Sequence, residues 1–111
     1  MIQSQELRVG EILARTGENV EFLPVGIHHT ADIRFRGVEW EIKSPIGSSS
    51  RTIENNLRNA LKQSSNIIVD LGRIKQPEEK GLREIKKQAK LLHMLKRIIV
   101  ITKSGKILEL F

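Results

Sequence analysis

Asp32, Glu41 and Lys43 are the residues whose types and spacing best support chemistry. Two carboxylates supply hard oxygen ligands suited to Mg2+, with Mn2+ or Zn2+ as alternatives. An ion held there polarises a phosphoryl oxygen and acidifies a water. A lysine beside the carboxylates orients that water or stabilises the charge that builds on a phosphate. The set therefore reads as a phosphodiesterase centre. The competing reading is a cross-strand ion-pair cluster on the outer face of a hairpin. An Asp followed at a distance by Glu-x-Lys is a short pattern with many chance matches.

The elements decide whether these residues can meet. From Ala31 to Arg36 the sequence alternates, with Ile33 and Phe35 on one side and Asp32, Arg34 and Arg36 on the other. Gly37 makes a turn, and Val38 to Lys43 alternates again. Val38, Trp40 and Ile42 face a core, while Glu39, Glu41 and Lys43 face away from it. Strands joined this tightly are antiparallel neighbours, which brings Asp32 across from Glu41 and Lys43.

The rest of the chain supplies a frame. A helix is expected from Glu6 to Thr16, stopped by Gly17, then a short strand from Val20 to Leu23. After Pro45 a second helix runs roughly from Arg51 to Ser64. Asn66 to Leu71 is a nearly continuous apolar run and reads as an interior strand. Pro77 opens a basic helix to about Leu92, with Glu78 and Glu79 in its first turn. Arg97 to Thr102 is a second buried strand, and Ile107 to Phe111 is the last. The order αβββαβαββ predicts an α/β (α+β) fold, a mixed central sheet flanked by helices, in one domain spanning 1–111.

Further residues are candidates for the site. Thr52, Asn56, Asn59 and Gln63 form an uncharged polar stripe on the second helix, opposite the apolar Ile53, Leu57, Ala60 and Leu61. Such a stripe either lines a cleft or is solvated. Glu6 is either a helix-dipole partner or a third metal carboxylate. Ser44 lies beside Lys43, within reach of a substrate. His28 and His29 sit in a loop and are solvated, or one serves as general base in metal-free chemistry. Arg34 and Arg36 contact phosphate or pair with Glu39. Trp40 belongs to the core, and His93 to the surface.

Composition narrows the classes. The 111 residues include no cysteine, which excludes disulfides, cysteine-ligated zinc and thiol catalysis. No apolar stretch approaches the roughly 20 residues that span a bilayer, and the N-terminus has no leader pattern. Delivery as part of a larger protein stays open. The net charge of +6, concentrated late in the chain, favours a polyanionic partner.

The stretch Ala31-Asp32-Ile33 followed by Trp40-Glu41-Ile42-Lys43-Ser44-Pro45 resembles the core of the PD-(D/E)xK restriction-endonuclease-like superfamily. Over nearly the whole chain there is a narrower likeness. Thr52 to Leu57, Gln63 to Leu71 and Arg97 to Lys103 are similar to the CdiA C-terminal tRNase domain of contact-dependent growth-inhibition toxins. That resemblance implies a divalent-metal RNase acting on tRNA in the cytoplasm of a target cell and neutralised by a cognate immunity protein. It also implies roles for particular residues. Asp32, Glu41 and Lys43 match the catalytic positions, Glu6, Asp32 and Glu41 the metal carboxylates, and Thr52, Asn56 and Gln63 the supporting polar positions. Ala31 stands where the family often has proline.

The sequence thus predicts a metal-dependent nuclease toxin domain, with the basic helix engaging backbone phosphate. The alternatives are a DNase of the same fold, a metal-independent RNase of the barnase, EndoU or colicin type, and a nucleic-acid-binding module without catalysis. RNA over DNA rests on the resemblance, since no residue pattern reads a 2′-OH.

Overall fold

The computed structural model describes residues 3–24 and 31–111. His28 and His29 lie outside the described residues. Three helices, α1 (Ser4–Ala14), α2 (Thr52–Ala60) and α3 (Glu78–Leu91), accompany six strands. The strands are β1 (Val20–Phe22), β2 (Ile33–Phe35), β3 (Val38–Lys43), β4 (Asn66–Asp70), β5 (Arg97–Ile101) and β6 (Ile107–Glu109). Their order along the chain is the expected one. Most strands are one to three residues shorter than the alternation suggested, α2 stops at Ala60 rather than Ser64, and α1 lies two residues earlier, at Ser4–Ala14.

The six strands form one mixed sheet in the order β1-β2-β3-β4-β5-β6. β3, β4 and β5 are parallel to one another, and the outer pairings are antiparallel. The two interior strands are therefore β4 and β5, as their apolar runs indicated. Each parallel step needs a crossover, supplied by α2 and then by α3. Two right-handed crossovers advancing in one direction across a sheet place both helices on the same face. Accordingly Ile53 and Leu57 of α2 and Ile85 of α3 pack with Ile67, Val69, Ile98 and Val100 on that face. α1 covers the other, where Val9, Ile12 and Leu13 meet Ile33, Phe35, Trp40, Ile42, Ile68, Ile99 and Ile101.

The hairpin between β2 and β3 is set by its turn. Arg36 has φ 56° and Gly37 φ 77°, so both central residues are left-handed. A two-residue turn of that kind matches the natural twist of paired strands. It fixes the register Ile33↔Trp40, which places Asp32 one step on, opposite Glu41. Trp40 is buried, as expected, and its indole Nε1 donates to the Phe35 carbonyl at 2.9 Å.

The sequence reading missed a buried ion pair that ties α1 to the sheet. Asp70 ends β4 fully buried and accepts from Arg8 Nη1 of α1. Its Oδ1 also accepts from the Gly72 N–H at 2.9 Å, while Arg8 Nη2 donates to the Thr102 carbonyl at 3.2 Å. A side chain at Gly72 would stand 3.0 Å from both Arg8 and Asp70, so glycine leaves the pair its space. A carboxylate at the end of an apolar strand is the signal that could have revealed it, since such a charge is tolerated inside only when paired. Asp70→Asn keeps an acceptor for Gly72 but removes the charge opposite Arg8. We expect it to cost about 2 kcal/mol, the scale of a hydrogen bond to a charged group. The measurement is a urea melt, with the midpoint lowered and the slope unchanged.

Candidate active site

Strand alternation brings Asp32, Glu41 and Lys43 to one edge, at the carboxyl ends of the parallel strands. Ligands of open sheets characteristically bind outside those ends. Asp32 directly precedes β2 rather than lying within it. Its Oδ2 accepts from the Ile42 N–H at 2.8 Å. That N–H lies beyond the last β2–β3 pair, so the Asp32 side chain takes the place of the missing strand and is held rigidly.

Glu41 corrects the expectation that its side points away from the core. It is only 8% exposed. The alternation of β3 predicts a strand with one open face, but α2 packs over the face carrying Glu41. Burial is the largest cause that pushes its carboxyl up, to about 8 from an ordinary 4.5. The Asp32 charge, a hydrogen bond between the two carboxyls and the Glu6 charge push the same way. Lys43 opposes them, with its Nζ 3.8 Å from Glu41 Oε2 and its side chain 21% exposed. The ion-pair reading of Glu41 and Lys43 thus has a geometric basis, but one lysine is set against two or three carboxyls.

Glu6 stands near enough to be affected by this group. Partial burial raises its own pKa first, and the Asp32 charge adds to it. Its carboxylate also accepts from the Gln3 N–H at 3.3 Å, the reciprocal bond of a helix N-terminus. Glu6 therefore caps its helix and contributes negative charge to the site.

The polar stripe behind the cluster is more divided than a single helical face. Asn56 donates its Nδ2 to the Thr52 carbonyl at 2.8 Å, so that donor serves its own helix. Asn59 is exposed. Gln63 lies past the end of α2, in the turn that follows it. Thr52 packs against Gly47, where a Cβ would press on its hydroxyl. At the end of β3 the Ser44 Oγ is buried without a hydrogen-bond partner.

The arginines of the hairpin lie elsewhere and are engaged. Arg34 pairs with Glu21 at 2.9 Å and Glu39 at 3.0 Å. Arg36 pairs with Glu18 and Glu109 and stacks on Phe35, 4.8 Å from the ring centre. Both belong to surface ion pairs rather than to a phosphate site.

Among the described residues, no three or more His, Cys, Asp or Glu side chains are gathered to enclose a metal ion. The donor chemistry nevertheless fits a hydrated Mg2+ or Mn2+. Such ions take one or two protein carboxylates and complete their shell with water and substrate phosphate. The Asp32–Glu41 pair supplies that number. Burial first, and the Asp32 charge second, raise the proton affinity of Glu41, and a cation held there would offset that like charge.

The family model of the contact-dependent growth inhibition CdiA C-terminal domain matches residues 29–107. The chain belongs to that family. The matched stretch holds Asp32, Glu41 and Lys43 and leaves out α1 with Glu6 and Arg8. Among solved structures, this CdiA C-terminal domain is similar to the CdiA-CT/CdiI toxin and immunity complex from Burkholderia pseudomallei. The TM-score is 0.72 at 24% identity, covering 90% of this chain and 76% of that chain. The likeness supports the shared architecture of a sheet with helices on both faces. No curated protein sequence matches the chain. Among the described residues no helix is long and apolar enough to cross a membrane.

Proposed function

We propose that this CdiA C-terminal domain is a metal-dependent endonuclease of the PD-(D/E)xK kind, cleaving phosphodiester bonds in tRNA of a target bacterium. The observation that supports it most is the buried Glu41 opposite Asp32, with Lys43 Nζ 3.8 Å away. Asp32 and Glu41 would hold a divalent ion, with Glu6 adding charge from α1. The ion supplies Lewis acidity at the phosphoryl oxygen and favours deprotonation of a water. Lys43 orients the attacking water and offsets charge on the phosphate. Thr52 and Asn56, on the first turns of α2, would line the neighbouring wall, whereas Gln63 lies in the turn at the far end of that helix.

The choice of tRNA follows the resemblance of the sequence to tRNase domains of this family. Its family membership also suggests entry into target cells as the C-terminal part of a larger secreted protein, and a cognate immunity protein as partner. The structural relative is itself a toxin and immunity complex. RNA from cells expressing the domain, resolved beside RNA from cells expressing Lys43→Ala, tests the reading. The expected result is discrete fragments of tRNA size in the first lane and intact tRNA in the second. Intact tRNA in both lanes, with the protein folded and present, counts against it.

A further inference from the structure

The basic surface of α3 is not uniform. Lys80, Arg83 and Lys87 share one helical face and line a cavity of about 280 Å3 between α3 and the start of α2. None of these three cations makes an ion pair among the described residues. Glu84 is the carboxylate lining the same space, and its Oε1 accepts from Gln88 Nε2 at 3.3 Å. Ser49 and Ser50 form the opposite rim, where α2 begins without a side-chain cap. The Ser49 Oγ and carbonyl already accept from the Arg51 and Thr52 N–H groups at 3.1 and 3.2 Å, so the rim offers serine O–H groups as donors.

Gln76 is a second and independent pointer to a ligand. It is 7% exposed and lines the cavity. Its side chain makes no hydrogen bond among the described residues, and its amide opens onto the cavity. An amide held in a largely buried side chain at a cavity wall is a fixed donor, and a ligand oxygen there would take the place of solvent. Three cations against one carboxylate, two serine hydroxyls and a free amide donor together suit a tetrahedral oxyanion.

The cavity is linked to the carboxylate cluster through the backbone. β3 leads from Lys43 through the following loop to Ser49 and Ser50, and β4 leads to Gln76. The two loops are joined by Lys75 N–H to the Ile46 carbonyl at 3.1 Å and Arg73 Nη2 to the Ser44 carbonyl at 3.0 Å. We propose that the α2–α3 cavity is a phosphate-binding subsite that holds a backbone phosphate of the polynucleotide substrate, apart from the group that breaks the bond. It rests on the nucleic-acid reading given above.

The test uses the full chain carrying Lys43→Ala, so that bound RNA stays intact. Lys80→Gln, Arg83→Gln and Lys87→Gln are combined and compared with the charge-matched set Lys62→Gln, Lys103→Gln and Lys106→Gln. Binding of labelled tRNA is measured across a salt series. The cavity set lowers affinity at least about tenfold and reduces the salt slope by about 1 to 2, whereas the control set changes affinity less than about threefold. Gln76→Leu weakens binding about fivefold with an unchanged salt slope. In a second arm, inorganic phosphate is titrated against chloride at equal ionic strength. Phosphate shifts the amide resonances of Ser49, Ser50 and Gln76, and the cavity set abolishes those shifts. Equal losses from the two sets, with no phosphate shifts, overturn the subsite while leaving the proposed nuclease standing. Phosphate shifts without any RNA binding instead overturn the nucleic-acid reading, and the polynucleotide as ligand with it.

Discussion

Lys43→Ala lowers the initial rate of phosphodiester cleavage by about 10^2- to 10^3-fold, the usual cost of removing one preorganised donor from a developing oxyanion. The effect should be this large because the lysine has two tasks. Its Nζ lies 3.8 Å from Glu41 Oε2, beside the carboxylates that would hold the ion. It is also the cation that opposes the upward shift of Glu41. Without it Glu41 holds its proton more tightly, so fewer molecules offer a carboxylate at neutral pH. The variant should therefore recover part of its loss as pH rises, which a purely structural role would not produce. The fold should be unaffected, because a half-buried lysine at a strand end leaves no core cavity when shortened. Initial rates over a pH series, with circular dichroism as the control, measure both points.

Glu41→Gln moves activity and stability in opposite directions. Activity falls by a similar factor, since a neutral amide is a poor ligand for a hard cation. Stability rises at alkaline pH, and the sign follows from proton linkage. The carboxyl of Glu41 titrates near 8 in the folded protein and near 4.5 when unfolded. Between those values the folded state binds more protons than the unfolded state. Stability therefore falls as pH rises from about 4.5 to about 8 and levels off above. Glutamine carries no such charge, so the variant escapes the loss. Thermal melts should coincide near pH 4.5 and separate by on the order of 5 °C at pH 9, with the variant higher. Adding Mg2+ or Mn2+ at pH 8 should raise the melting temperature of the wild type and leave Glu41→Gln unchanged, because an ion bound only by the folded state stabilises it.

The hairpin and its three candidate residues were legible because a strand has a period of two. Once Gly37 was read as a turn, the relation of Asp32 to Glu41 followed. What covers each face was not legible. The alternation of β3 makes Glu41 read as exposed because it cannot show that α2 folds back over that face. The same blindness hid the α2–α3 cavity. Lys80, Arg83 and Lys87 were visible as charge, but Gln76 gained meaning only when the helices packed. Asp70 was passed over inside an apolar run, although its cost there already required a partner such as Arg8. Gln63 was placed on a helix because polar spacing continued past Ala60, where the helix ends. The polar stripe thus gives a less regular wall than its spacing suggested.

The most direct test of the carboxylate–lysine cluster is cleavage of purified tRNA by the purified domain, with Mg2+ or Mn2+, with EDTA, and with Lys43→Ala in the presence of metal. A cluster that works through a bound divalent ion gives discrete fragments in the first reaction alone, with cleavage restored when metal is returned after EDTA. Undiminished cleavage both in EDTA and by the folded Lys43→Ala protein would contradict that mechanism, and would place the chemistry outside Asp32, Glu41 and Lys43.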